Sequence, residues 1–478
     1  MTSISTVQPE GGRPQAPPDI QPLPDITELK AGLQGEVCLR GDPGYETART
    51  IWNAMIDRYP DVVVRCASAD DVAKAVRFAN DHNLGISIRG GGHNIGGSAV
   101  GQGGLMIDLS PMKSIRVDSE ARRAWVGPGA TLADVDRETQ QFGLALPVGI
   151  NSTTGIAGLT LGGGFGWLSR PFGMTVDNLI GADVVTAEGE LVHASATDNP
   201  DLFWAIRGGG GNFGVITSFE FTLHPVGPEV FSGLIVHPFG QAPELLRQYR
   251  EVVADAPDEL TVWCVMRKAP PLPFIPAEWH GHEVLIFAAC YAGSNADGEK
   301  ATAALRGIGN PIADVMGPHP FVGWQAAFDP LLTPGARNYW KTHDFTELSD
   351  GAITVITEAV SRLPGPECEV FIAQVGGAMA RVAPEATAYP YRNAHFVMNV
   401  HTRWRDPAQD AACVAWAREL FDTVAPFATG AGYVNFMPAD ESDRIEKVYG
   451  KNYQRLVEAK RRWDPQNRFR LNQNIQPN

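Results

Sequence analysis

Residues 199–221 read NPDLFWAIRGGGGNFGVITSFEF, and the order of the parts decides which fold these glycines can serve. The run GGGNFG at 209–214 has the spacing GxGxxG. In a dinucleotide-binding βαβ unit such a loop leaves a strand and opens a helix, whose free N–H groups meet the pyrophosphate. Here the helix-like DLFWAI comes first and the alternating VITSFEF follows as a strand. The reversed order argues against a Rossmann site. No GxxxxGK[ST] occurs, which excludes a P-loop.

The same stretch closes a wider glycine-rich region. The chain has 51 glycines in 478 residues, about 11% against a usual ~7%. The excess lies between residues 90 and 214, chiefly in RGGGHNIGG (89–97) and in TGIAGLTLGGGFGWLSRPFGMTVDNL (154–179). Backbone freed of side chains can line N–H groups on phosphate oxygens as a nest, so a large pyrophosphate-bearing cofactor is expected. His93 stands in the first cluster, where core packing does not call for an imidazole. A metal would need partners. The one close pair, His280 and His282, falls on a separate strand-like run without a third ligand, so no metal is expected.

Around these loops the pattern is mixed. In SADDVAKAVRFANDHN, Val72, Ala75, Val76 and Ala79 fall at helical spacing behind Ser68 or Asp70 as N-cap. GISIR and LMIDL read as strands, Thr131 caps a helix through Phe142, and DVVTAEGELVHAS turns as a hairpin near Glu188-Gly189. Beyond Pro225–Pro228 come FSGLIVH, LTVWCVM, HEVLIFAACY, ECEVFIAQVGG and AHFVMNVHTRW, with helical segments between them. That is the pattern of an antiparallel sheet with helices on one face. The class is α+β. The expected divisions are a flexible tail at 1–30, a cofactor domain at 31–226, a substrate domain at 227–430, and a segment at 431–478 that returns to the first domain.

Bulk properties narrow the partners. A net charge of -15, from 39 basic and 54 acidic residues, argues against nucleic acid. There is no run of 18 apolar residues to cross a membrane and no secretory signal pattern, so a cytoplasmic enzyme is expected. The six cysteines are scattered without CxxC, which fits neither a disulfide framework nor a zinc site.

RGGGHN, GLMIDLS, VGPGATLADV, the 154–179 cluster and the 199–221 stretch occur in an order that resembles the berberine bridge enzyme-like FAD-linked oxidases. That group belongs to the vanillyl-alcohol oxidase/PCMH flavoproteins. GYVNF (432–436) and YGKNYQRLVEAKRRWDPQNRFRLNQNI (449–475) resemble the family's terminal module. The resemblance spans about residues 36–478 and is nearest to bacterial members.

The resemblance implies a PCMH-type FAD domain with FAD bonded through its 8α-methyl to His93. Arg89, Gly90, Gly91, Gly92, Asn94, Gly96 and Ser98 would surround the phosphates. Gly129, Gly149, Thr153, Thr154, Gly155, Gly158, Gly163, Gly166, Ile216, Asn435 and Asn472 would complete the cofactor site. Many relatives have a second tether, a cysteine where this chain has Asn151, so a single link is expected. The implied reaction is hydride transfer from a small-molecule C–H to flavin N5, followed by reduction of O2 to H2O2. Tyr433 is the implied base, and Asn399, which falls where plant members have Gln or Glu, would orient substrate; His401 shares the strand face of Asn399, and Tyr339 and Trp340 are the expected pocket-lining aromatics. A phenol near pKa 10 needs a cation or hydrogen bond to serve as base. A dehydrogenase using another acceptor, decided by a residue near Ile156, and a non-catalytic flavin-binding protein are the alternatives. A monomer or homodimer is expected.

Overall fold

The computed structural model of the chain describes residues 23–477. Most of the expected tail lies outside them, but Thr27–Gly32 is a helix that buries Leu29.

The expected local elements form for the expected reasons. Ser68 Oγ accepts the Asp71 N–H at 3.2 Å and starts the helix Ala69–Asp81. Val72, Ala75, Val76 and Ala79 of that helix are buried with Val62, Val64, Ile86, Leu105 and Ile107. Thr131 and Asp134 form a reciprocal capping box, and the helix they open ends at Gln140, short of Phe142. The glycine loop at 208–214 runs between the helix Pro200–Ala205 and the strand Val215–Thr222, so the reversed order is real.

Two sheets build the first half of the chain. One is four-stranded: Glu36–Leu39 pairs antiparallel with Val62–Arg65, then Leu105–Asp108 and Ile86–Arg89 follow in parallel. The other is a five-stranded antiparallel sheet that contains the hairpin Leu179–Val185/Leu191–Ser195. The second half forms one eight-stranded antiparallel sheet. Alternation sorts its side chains into two layers. In Leu260–Lys268, Val262, Cys264 and Met266 join the core beneath the helices Ala242–Ala254, Asp350–Val360 and Asp410–Val424. Trp263, Val265 and Arg267 face the other way, toward the first domain and the groove between them. The architecture is the expected α+β one.

The chain's end packs against the glycine loop at 208–214. Asn212 of the glycine loop donates to Gln473 O and accepts from the Ile475 N–H. The helix Tyr453–Trp463 carries Lys460, fully buried, whose Nζ donates to Asn212 O, Phe469 O and Asp464. Asp464, equally buried, also accepts the Arg468 and Phe469 N–H groups. Removing one partner of a buried pair leaves the other charge uncompensated. Lys460→Met is therefore expected to cost about 3–5 kcal/mol of unfolding free energy. Chemical denaturation measures this, and a loss below about 1 kcal/mol would contradict the role given to the pair.

Candidate active site

The His93 loop is set by a backbone contact. A Cβ on Gly91 would stand 2.4 Å from Gly155 N, and one on Gly155 would stand 2.3 Å from Gly91 N. Real Cβ atoms do not approach that closely, so both positions require glycine and the two glycine clusters touch here. Beyond the contact, His93 turns its ring to the groove. Trp52 stacks on it with centroids 5.0 Å apart and planes at 22°. Thr153 Oγ1 lies 3.0 Å from its Nε2. Desolvation pushes the His93 pKa down to about 4, so the ring is neutral near pH 7. Asn53 fastens this corner to the second domain: its Nδ2 donates to Ile95 O and Asn338 O, and its Oδ1 accepts the Asn338 N–H.

The opposite wall is the sheet. Leu234, Trp263, Val265, Ile286, Ala288, Trp340 and Phe371 make it apolar, and Arg267, Glu369 and His401 interrupt it. These three form a buried chain. Arg267 Nη1 is 2.8 Å from Glu369 Oε2, and His401 Nδ1 is 3.0 Å from Glu369 Oε1. Burial works against the charge on Glu369, but Arg267 and then His401 outweigh it and hold the carboxyl at about 2. An ionised carboxylate only accepts, so His401 carries its proton on Nδ1. The buried Nε2 is the free ring nitrogen, and no group among the described residues bonds to it.

Tyr433 closes the far end. Its Oη accepts the Gly164 N–H and the Asn435 Nδ2–H, each at 2.9 Å. Burial pushes the phenol up to about 12, against the pull of those two donors. Phe436 stands between Tyr433 and Trp340, edge-on to both rings at 4.8 and 5.6 Å.

Most of the residues named from the sequence line this groove: Gly90, Gly91, Gly92, His93, Asn94, Ser98, Gly149, Thr154, Gly155, Gly158, Ile216, Trp340, His401, Tyr433, Asn435 and Asn472. Others do not. Tyr339 is a correction: neighbours on a strand point to opposite faces, so with Trp340 in the groove Tyr339 lies under the helices. There its Oη donates to Asp440 and accepts from Arg418. Asn399 shares the His401 face but is fully buried outside the groove, both amide atoms unpartnered among the described residues. It is no substrate contact in this arrangement. Arg89 turns to the carbonyls of Thr47 and Ala48. Gly96, Gly129 and Gly166 press on the backbone of Ala439, Leu109 and Val148, while Gly163 packs on Met174 and Tyr433. Thr153 sits at the rim, in contact through His93. Ile156 belongs to the first domain's core, and Ala157 and Gly158 face the groove instead.

Sequence reasoning missed Trp52, Asn53, Arg267, Glu369 and Phe436. Glu369 alone left a signal, a charge in the otherwise apolar EVFIA. None of the six cysteines is among the groove-lining residues.

FAD fits these walls. At Gly158 and Gly211, both lining the groove, an added Cβ would meet no protein atom within 4 Å, so the bare backbone there faces open space. Asn472 holds the rim with an unpartnered Oδ1.

Comparison with known proteins agrees with this geometry. An FAD binding domain family matches residues 60–195, and the berberine and berberine-like family matches residues 432–476. The FAD-linked oxidoreductase YgaK of Bacillus subtilis is 33% identical over 94% of this chain and 98% of its own length. (R)-6-hydroxynicotine oxidase of Paenarthrobacter nicotinovorans is 30% identical over 93% of this chain and 97% of its own. The crystal structure of 6-hydroxy-D-nicotine oxidase from Arthrobacter nicotinovorans superposes with a TM-score of 0.85 at 28% identity, covering 95% of this chain and 100% of that one. The chain is an FAD-linked oxidoreductase and belongs to the berberine bridge enzyme-like family.

Proposed function

We propose that the chain is an FAD-dependent oxidase whose flavin is bonded covalently to His93, and that it oxidises an alcohol, sugar or amine carbon. The observation that carries this reading is the neutral His93 imidazole held at the groove wall between Trp52 and Thr153. FAD bound there supplies a hydride acceptor at N5 and passes the electrons to dioxygen as hydrogen peroxide. The protein's own task is the proton. Tyr433 Oη is the base for the substrate O–H or N–H, and the Gly164 and Asn435 donors stabilise the phenolate when it forms. His401 Nε2 accepts a second hydrogen bond from the substrate, with Glu369 and Arg267 fixing its tautomer. The sheet wall is apolar apart from these three groups. That favours a ring-bearing alcohol or amine with a hydroxyl or N–H donor over a sugar, which would leave many hydroxyls unbonded there. The domain divisions read from the sequence are retained here, with the groove between the FAD and substrate domains and the returning segment supplying Tyr433.

The following outcomes test the reading. After acid denaturation the flavin stays with the protein, and mass spectrometry places it on the peptide that carries His93. Flavin wholly in the supernatant would sink the tether, and flavin on a cysteine peptide would sink the single link. Tyr433→Phe slows anaerobic flavin reduction by roughly 100- to 10,000-fold. Since only the phenolate accepts a proton and the phenol titrates at about 12, the wild-type rate climbs about tenfold per unit between about pH 7 and 10. A flat profile there, or an unchanged rate in the variant, removes Tyr433 as base. His401→Ala raises KM about two- to tenfold while kcat stays near wild type, the mark of a binding contact; an unchanged KM excludes the anchor. Re-oxidation of the reduced enzyme in air separates oxidase from dehydrogenase.

A further inference from the structure

Thr153 is exposed at the groove rim, and nothing in the core requires its hydroxyl. Its Oγ1 lies 3.0 Å from His93 Nε2 and 2.8 Å from Asn151 Oδ1. Asn151 Oδ1 also accepts the Thr153 backbone N–H at 3.2 Å. These contacts determine where the protons are. A backbone N–H can only donate, so the oxygen end of the Asn151 amide is the end that faces Thr153. Two oxygens 2.8 Å apart need a proton between them, and the Thr153 hydroxyl supplies its only one to Oδ1. Oγ1 then has only lone pairs for His93, so Nε2 must carry the imidazole proton. The lone pair is left on Nδ1. Trp52, stacked on the ring face, and the touching pair Gly91 and Gly155 hold the ring in place.

We propose that Asn151 and Thr153 are positioning residues for the covalent attachment of FAD, and that they present His93 Nδ1 as the atom that bonds to the flavin. The inference rests on the covalent reading above. In the attachment, a bond forms between Nδ1 and the 8α carbon, which loses one proton, and two electrons enter the ring system. The imidazole becomes cationic as its lone pair is shared. Its Nε2–H donates to Thr153 Oγ1, whose acceptor strength is raised by its own donation to Asn151. Nε2 then releases its proton. Dioxygen takes the two electrons and the two protons and leaves as hydrogen peroxide, so attachment needs no oxidant beyond the one the oxidase reaction uses. In this chain Asn151, where relatives place a second tether, serves the first one instead.

The experiment follows attachment rather than turnover. Freshly purified protein is incubated with FAD in air, and the fraction of bound flavin that stays with acid-precipitated protein is followed in time. Wild type and Thr153→Ser are expected to go to completion at similar rates. Thr153→Val should bind FAD and melt as wild type does, yet attach it about 10- to 100-fold more slowly, the loss of one hydrogen bond to a group that becomes charged. Asn151→Ala, which frees the hydroxyl to donate to Nε2, should slow attachment as well. NMR of the flavinylated peptide should show the bond at Nδ1. Wild-type rates in both Thr153→Val and Asn151→Ala, or a bond at Nε2, would overturn the positioning role and leave the His93 tether standing. No acid-stable flavin in wild type would overturn the tether and this inference with it.

Discussion

The backbone contact between Gly91 and Gly155 is the constraint on which the site depends. Neither residue tolerates a Cβ, because the other's backbone occupies that space. The contact brings two loops some sixty residues apart in sequence to one point, and both loops then face one groove. It places the Asn151–Thr154 turn beside His93, so that Thr153 reaches the imidazole. It also leaves the groove floor without side chains, and at Gly158 nearby backbone stands open to a ligand. A mutation that separated the loops would therefore remove the phosphate cradle and the histidine's support together. The glycine density visible in the sequence is the trace of several such approaches, of which this one joins the two clusters.

The opposing wall obeys a different constraint. A sheet covered by helices on one face and by a domain on the other is apolar on both, so its strands carry no polar-out alternation to mark their faces. Val262, Cys264 and Met266 look no different in sequence from Trp263 and Val265, yet one set lies beneath helices and the other lines the groove. What distinguishes the groove face is its few charges. Arg267, Glu369 and His401 come from three neighbouring strands and meet because their registers align: Arg267 is opposite Glu369, and Glu369 is opposite His401. Buried side by side, each satisfies the next, and only His401 Nε2 is left over. That single unmatched ring nitrogen, without a partner among the described residues, is what gives an apolar wall a direction.

This explains which parts of the molecule were legible. Caps, turns and glycine loops are local, and they were read correctly: the Ser68 and Thr131 caps, the hairpin at Glu188-Gly189, and the reversed order around GGGNFG. Motif residues in the loops, such as His93, Tyr433 and Asn435, were named by resemblance, and they line the groove. The errors sit where tertiary register decides. Tyr339 and Trp340 are adjacent in sequence and cannot share a strand face, and the choice between them is made by pairing with residues 401–402. Asn399 has the face expected of it but not the exposure, because neighbours cover it. Trp52 and Asn53 left no signal, since their role comes only from a contact between distant parts of the chain.

The last residues of the chain join these parts. Tyr433, Asn435 and Asn472 reach the groove from a segment that is held on one side by Asn212 of the glycine loop and on the other by the sheet, through the Lys341–Glu441 pair and the Tyr339–Asp440 bond. Tyr433 in turn accepts a bond from Gly164, in the second glycine cluster. The proposed base thus takes one hydrogen bond from the glycine cluster and packs against both that cluster and the sheet, while the proposed substrate anchor, His401, is part of the sheet. Contacts between the two halves of the chain run along the whole groove: Asn53 holds Asn338 and Trp52 meets Trp340 at the His93 end, while Phe165 meets Trp263 and Asp177 pairs with Arg392 toward Tyr433. Both ends of the groove are therefore held, and at the far end Tyr433 shares one core with Phe165, Trp263 and Tyr389.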